Sequence, residues 1–293
     1  MHISKIQAFH YRNLDEVTFD CNPNINCIIG QNGVGKTNIL DSIFYLSFCK
    51  SNILANDTLN VKQGEDSFLL QGNYKNDENT FKVSCAYDYK TKDKILKCDD
   101  KKYSKFSDHI GLIPLIFISP SDISLINGGG SERRRFIDSY ISLFDKEYLQ
   151  NLLVYNKLLL QRNSLLKQKN SIDYDYISII DEQLSSIGVT IYNIRLKAIE
   201  ELNDLVIMYY SKINSQDECS ISYDSQLQNY EMLAQLKKNF ERDKILTYTS
   251  VGIHRDDIIF NFNGGVLKNV GSQGQKKSFL LSLKFSQYQG VKT

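Results

Sequence analysis

Residues 30–37 read Gly30-Gln31-Asn32-Gly33-Val34-Gly35-Lys36-Thr37, which fits the G-x-x-x-x-G-K-[ST] pattern. The residue types suit phosphate chemistry. Gly30, Gly33 and Gly35 permit backbone angles that a side chain forbids, so consecutive N–H groups can curl round phosphate oxygens. Lys36 brings a cation to the β- and γ-phosphates, and Thr37 offers a hydroxyl to Mg2+. The flanks suit such a loop. Ile25-Asn26-Cys27-Ile28-Ile29 is a short apolar run that predicts a buried strand, and Ile39, Leu40, Ile43, Phe44 and Leu46 recur at helical spacing. A helix leaving the loop would aim its N-terminus at bound phosphate.

A second anion site is predicted near the end of the chain. Gly271-Ser272-Gln273-Gly274-Gln275-Lys276-Lys277 opens an apolar helix, and its free N–H groups and dipole favour negative charge. One nucleotide rarely needs two such helix ends. A direct solution is that this one serves a nucleotide held by another copy of the chain. Other charged groups are less distinctive. Arg12 and Asn13 lie between two predicted strands, where they could reach a nucleotide, but a solvated turn explains them as well. Ser131 looks like an N-cap, followed by Arg133, Arg134 and Arg135 in a first helical turn. Three cations oppose the dipole there and need acids across the fold, a nucleotide or DNA; ion pairing accounts for one or two of them. His254, beside Arg255, Asp256 and Asp257, could shuttle protons or sense phosphate, although such a histidine is more often a satisfied structural group.

The elements that position these groups fall into three stretches. Residues 3–9 and 16–19 predict an early strand pair, so the strand before the loop is at least the third. Residues 67–73, 80–89 and 94–98 predict an antiparallel meander with polar turns such as 75–78. Its lysines, from Lys90 to Lys105, suit a charged edge that resists aggregation better than a DNA-facing strip, because Asp88, Asp93, Asp99 and Asp100 dilute them. Pro114-Leu115-Ile116-Phe117-Ile118 predicts another buried strand. From 145 to 243 proline is absent and Gly188 is the only glycine. Leu149, Leu152, Tyr155, Leu159 and Leu166 form one helical stripe, and Ile180, Leu184, Ile187, Ile191, Ile194 and Ala198 another. Broken by the polar run 167–173, they predict an antiparallel helical hairpin, with a further helix near 225–243. Residues 249–257 then lead into an apolar strand, 258–262, and Asn263-Gly264-Gly265 predicts a hairpin turn.

The chain has 293 residues, a formal net charge of +1 and 42% hydrophobic residues. It is long enough for one large α/β domain or a domain with an insertion. Any nucleic-acid surface must be a local patch. Six scattered cysteines without a C-x-x-C argue against a zinc site or a disulfide framework and for a reducing cytoplasm. No apolar leader opens the chain and no apolar run is long enough to span a membrane.

Gly30 to Thr37, preceded by Tyr11-Arg12-Asn13-Leu14, resembles the SMC/RecF branch of ABC-type ATPases, and Ser272-Gln273-Gly274-Gln275 resembles that group's signature motif. The interval from Lys36 to Ser272 is too short for a long coiled coil and holds no zinc hook. Ser131 to Asp138, Gly252 to Asp257 and Ser272 to Lys277 resemble the RecF family, a likeness covering essentially the whole chain; Ile253 stands where that family usually has proline. The resemblance implies an α/β fold: an ABC-type P-loop ATPase head with an antiparallel β subdomain and an inserted helical lobe. Residues 1–118 plus 246–293 would form the head and residues 119–245 the lobe.

The resemblance further implies ATP and Mg2+ held by residues 30–37, with Thr37 on the metal and Arg12 and Asn13 on the nucleotide. Ser272, Gln273 and Gly274 would meet the γ-phosphate of the opposite subunit. It implies a homodimer with ATP on DNA, at junctions of duplex with single-stranded gaps, acting in recombinational repair, replication restart and the SOS response with RecO and RecR as partners. A strand ending in Walker B acids is expected after the signature helix, and the sequence stops at Thr293 without it. A chain lacking that strand is expected to expose an apolar seam and to lack the acid that hydrolysis needs. Three alternatives remain open from the residues: the ATPase subunit of a transporter, a small-molecule kinase and a nucleotide-binding but catalytically inactive fragment.

Overall fold

The computed structural model describes residues 1–54, 56–76, 79–168 and 173–292. The chain divides by packing into two compact units, Met1–Phe117 and Ile118–Thr293. Packing therefore groups residues 246–293 with the helical stretch before them.

The first unit is an antiparallel sheet with a helix on one face. Its elements are β1 (His2–Tyr11), β2 (Leu14–Asp20), α1 (Lys36–Phe48), β3 (Ser67–Lys75), β4 (Thr80–Asp88), β5 (Lys94–Cys98) and the short β6 (Lys101–Lys102). The strands lie in the order β2-β1-β3-β4-β5-β6, every neighbouring pair antiparallel. Period-two alternation sorts their side chains. Ile6 and Ala8, Phe68 and Leu70, Val83 and Cys85, and Leu96 turn into one core with Ile39, Tyr45 and Leu46 of α1. The early strand pair and the meander are thus where periodicity places them. Part of the 75–78 turn lies outside the described residues. Two of the meander lysines are engaged in ion pairs, Lys90 with Asp66 and Lys94 with Asp57.

Two strand expectations fail in this unit. Neither 25–29 nor 114–118 is a strand. Ile25 is 80% exposed and Ile29 is 91% exposed, where burial was expected. The reason is the missing ladder: among the described residues no strand pairs with either segment, so each is an extended run with unpaired backbone. Leu40, on the helix after the loop, is also exposed, at 46%.

The second unit contains α2 (Ser124–Asn127), α3 (Gly130–Ile141), α4 (Lys146–Lys167), α5 (Tyr174–Ser211), β7 (Cys219–Asp224), α6 (Met232–Lys238), α7 (Phe240–Leu246), β8 (Asp257–Phe262), β9 (Gly265–Val266), α8 (Leu267–Val270) and α9 (Gln273–Lys292). Strands β7, β8 and β9 form an antiparallel sheet. Asn263 and Gly264, both at positive φ (45° and 77°), make the β8–β9 turn, as their residue types require. Helices α4 and α5 form the expected antiparallel hairpin. Its register is visible in three contacts: Arg162 with Asp181, Tyr155 beside Gly188, and Tyr148 with Arg195. A Cβ at Gly188 would lie 2.5 Å from Met232 Sδ, so the one glycine of this stretch marks a close approach. Residues 169–172 of the polar break lie outside the described residues.

Three local expectations need correction. The buried stripe of α4 runs through Tyr148, Tyr155, Leu158, Arg162 and Leu166, with a buried arginine in register with the apolar residues. The helix near 225–243 is two short helices that meet at Asn239. Helix α3 starts after Gly129, so Ser131 sits inside its first turn and caps nothing.

Candidate nucleotide site

The loop at 30–37 is held from below by the turn that joins β1 to β2. Gly33 and Gly35 adopt φ of 86° and 102°, which L side chains avoid. Asn13 Nδ2 donates to the Gly33 carbonyl at 2.8 Å, and Asn13 Oδ1 accepts from Asn38 Nδ2 at 2.6 Å. A Cβ on Gly35 would lie 2.5 Å from Leu14 Cδ2 and 2.7 Å from Asn13 Oδ1, so only glycine fits against that turn. Asn13 therefore does more than the solvated turn that it resembles in isolation. Replacing it with alanine removes two hydrogen bonds at an exposed site, each worth about 1 kcal/mol. We expect a several-fold loss of nucleotide affinity with little change in thermal stability, measurable by titration with a fluorescent nucleotide.

Lys36 opens α1, and its ammonium donates to the carbonyls of Gly30 and Gln31 at 2.8 and 2.7 Å. This bends the cation back across the mouth of the loop. Gln31, Asn32, Val34 and Thr37 are exposed at the same mouth, with the Thr37 hydroxyl on the first turn of the helix. Among the described residues no cluster of three or more His, Cys, Asp or Glu could hold a metal alone. A hydroxyl at this place suits a cation that keeps several waters and shares phosphate oxygens.

One organising residue had no place in the sequence reading. Asp41 is fully buried on α1. It accepts from Tyr11 Oη and Ser51 Oγ, each at 2.7 Å, and from the Asn52 N–H at 2.8 Å. Arg12, at φ 58°, holds its Nη1 3.7 Å from the same carboxylate, and that nitrogen has no hydrogen-bond partner. The turn before the second strand and the helix after the loop are thus tied to one acid. A lone aspartate on the core-facing side of an apolar helix was the available signal.

Ser272, Gln273 and Gly274 belong to the second unit. Ser272 Oγ accepts from the Gln275 N–H at 3.2 Å, and Gln275 Oε1 accepts from the Ser272 N–H at 2.9 Å, a reciprocal capping box. Lys276 donates to the Lys268 carbonyl at 2.8 Å and is buried, so it serves the fold.

The arginine run finds its acids. Arg133 makes a bidentate pair with Asp257, 2.7 Å on each arm, and Arg134 donates to the Asp256 carbonyl at 2.6 Å. Burial opposes ionisation at Asp257, but the Arg133 pair, the Ile258 N–H and the Arg134 charge together outweigh it and hold the carboxyl below the usual range. Arg135 remains largely exposed beside Glu132. His254 is structural: Nδ1 accepts from Tyr155 Oη at 2.9 Å, and Nε2 donates to the Thr249 carbonyl at 3.0 Å. Burial pushes its imidazole down to about 4 from an ordinary 6.5. The unfolded chain then takes up a proton that the folded chain refuses. Stability is complete above the unfolded value and falls as pH drops from 6.5 toward 4, by up to about 1.4 kcal/mol per pH unit. Buried His109, also held low by burial, adds to the same trend. Thermal unfolding should occur at lower temperature at pH 5 than at pH 7.5, and H254Q should flatten that slope.

A model of the RecF/RecN/SMC N terminal domain matches residues 2–291. A DNA replication and repair protein RecF from Flavobacterium johnsoniae is 40% identical over 296 residues, covering 100% of this chain and 82% of that relative. The chain belongs to the RecF family. The RecF of Parabacteroides distasonis is 41% identical over 289 residues, covering 98% of this chain and 79% of the relative. Among solved structures, the recombination mediator protein RecF with ATP, of the RecFOR pathway, superposes with a TM-score of 0.93 at 30% identity, over 98% of this chain and 80% of that one. An Smc head bound to the C-winged helix domain of ScpA matches with a TM-score of 0.55 at 12% identity, which shows the shared head fold alone. The fold is therefore the α/β ABC-type ATPase head of the RecF and SMC proteins. A RecF-family chain is a DNA replication and repair protein, and the transporter reading falls away. No helix among the described residues is long and apolar enough to cross a membrane.

Proposed function

We propose that this chain binds ATP with Mg2+ at Gly30–Thr37 and pairs with a second copy around it on gapped DNA. Two helix starts within one chain, each of a kind that suits an anion, carry the reading. One is the glycine loop with Lys36 bent over its mouth; the other is the capped start of α9 at Ser272–Gln275. A RecF structure that superposes with a TM-score of 0.93 is one with ATP, which supports that ligand. Arg12 and Asn13 would face the nucleotide of their own copy. Ser272, Gln273 and Gly274 would face the γ-phosphate of the other, and Thr37 would join phosphate oxygens and waters around Mg2+. A γ-phosphate shared by two copies makes ATP favour the pair more than ADP does, which is the differential a ligand needs to shift an equilibrium.

On this reading residues 1–118 and 246–293 act as the head and 119–245 as the inserted lobe, a division by role that differs from the division by packing. Duplex next to single-stranded gaps is the DNA target, RecO and RecR are the partners, and the cytoplasm is the compartment. Sedimentation of the chain with gapped DNA and a slowly hydrolysed ATP analogue tests the reading. We expect dimers with the analogue and monomers with ADP. S272R should abolish the dimer while leaving nucleotide affinity in the monomer unchanged. Monomers under both nucleotides would overturn the proposal.

A further inference from the structure

The loop that follows α5 carries Asp217, and its carboxylate gathers four side-chain donors. Oδ1 accepts from Asn263 Nδ2 at 2.8 Å. Oδ2 accepts from Asn214 Nδ2 at 2.7 Å, Tyr210 Oη at 3.3 Å and Gln275 Nε2 at 3.3 Å. The donors arrive from the end of α5, the loop itself, the β8–β9 turn and the first turn of α9. Each anchor is held in its own right. Asn263, at φ 45°, exchanges hydrogen bonds with Glu218, donating its N–H to the Glu218 carbonyl and accepting from the Glu218 N–H through Oδ1. Tyr210 packs edge-on against Phe262 and tilts against Phe279, which in turn meets Phe260. This aromatic layer fixes the body of α9 on β8 and α5, and Asp217 fixes its tip.

Gln275 connects this carboxylate to the signature turn. Its Oε1 accepts the Ser272 N–H, so its Nε2 is the group left to donate to Asp217. An amide used at both ends cannot rotate without losing one bond. The donors, Asn263 foremost, hold the Asp217 carboxyl below the usual range, so it is ionised at neutral pH and accepts only.

We propose that Asp217 is a positioning residue for the signature turn: through Gln275 it sets Ser272–Gly274 in the attitude that meets a nucleotide on a second copy. Its functional half rests on the dimer reading above; the positioning itself does not. An asparagine at 217 keeps the shape but turns a donor toward donors. D217N should speed amide hydrogen exchange at residues 271–276 by about tenfold, the value of one charge-assisted hydrogen bond. ATP-dependent association should weaken by a similar factor, while nucleotide affinity of the monomer stays unchanged. Q275E, which sets two carboxylates against each other, should reproduce both effects, and D217N/Q275E should restore the turn by reversing donor and acceptor. Exchange that is unchanged at 271–276, or faster across the whole second unit with a lower melting temperature, overturns the proposal by showing no role or a merely structural one. If the wild-type chain stays monomeric with ATP, the dimer reading fails separately, and the exchange data still decide whether Asp217 sets the turn.

Discussion

Replacing Lys36 with alanine should reduce ATP affinity at least 100-fold and leave the fold intact. The ammonium sits 2.8 and 2.7 Å from two carbonyls of its own loop, so it is already aimed at the place a phosphate would take. Charge-assisted hydrogen bonds to phosphate are about twice as strong as neutral ones, and two of them account for about 3 kcal/mol. Asn13, which donates to the Gly33 carbonyl of the same loop, is neutral and does not substitute. The fold should tolerate the change because both carbonyls face solvent at the loop and can turn to water. K36R should bind almost as poorly, since a planar guanidinium on a longer stem does not suit two converging carbonyls. Titration with a fluorescent ATP analogue, beside a melting curve, separates the two quantities. Wild-type affinity in K36A would mean that the loop does not hold the triphosphate.

The second large effect concerns stability. Arg195 is 2% exposed and satisfies groups from three other segments. It donates to Asp138 from Nε and Nη2 at 3.0 and 3.1 Å, to the Ile253 carbonyl at 2.9 Å and to Tyr148 Oη at 3.1 Å, and its Nη1 lies 3.7 Å from Asp256. Asp256 also accepts from Tyr223 and is buried enough that its carboxyl is pushed up. Removing the cation strands two acids at once. Breaking such a buried pair from one side costs about 3–5 kcal/mol, a large share of the stability of a unit this size. R195M should therefore unfold the second unit at much lower urea concentration. R195M/D138N/D256N should recover part of the loss, because neutral partners no longer demand a cation. If the triple variant is no better than the single one, stranded charge is not the cause.

What the sequence disclosed follows from how local each signal is. The glycine loop, the Asn-Gly turn and the long stripe of α5 are written in neighbouring residues, and their geometry is as expected. The arginine networks are not local. Arg162 meets Asp181, Asp243 and Thr249, and nothing in the spacing of those residues joins them. The run at 133–135 did ask for acids, yet only the fold shows that Asp257 answers Arg133 while the Asp256 backbone answers Arg134. Residues 25–29 mislead for a different reason. An apolar β-branched run states a preference for extended backbone, but whether a ladder forms depends on a neighbour that the run itself does not encode. Asp41 is marked only by its place on the core-facing side of an apolar helix, and Asp217 by nothing local, because a single acid in a polar loop looks like solvated surface until its donors are in view.

The clash that a Cβ at residue 35 would meet from Leu14 and Asn13 has a mechanical corollary. Hairpin and glycine loop are interlocked, so neither can tilt without dragging its neighbour. Exchanging one nucleotide for another should leave distances between spin labels on the first strand pair and on α1 unaltered. On the proposed reading, a nucleotide in this loop would signal through this block moving whole, like a key turned rather than bent.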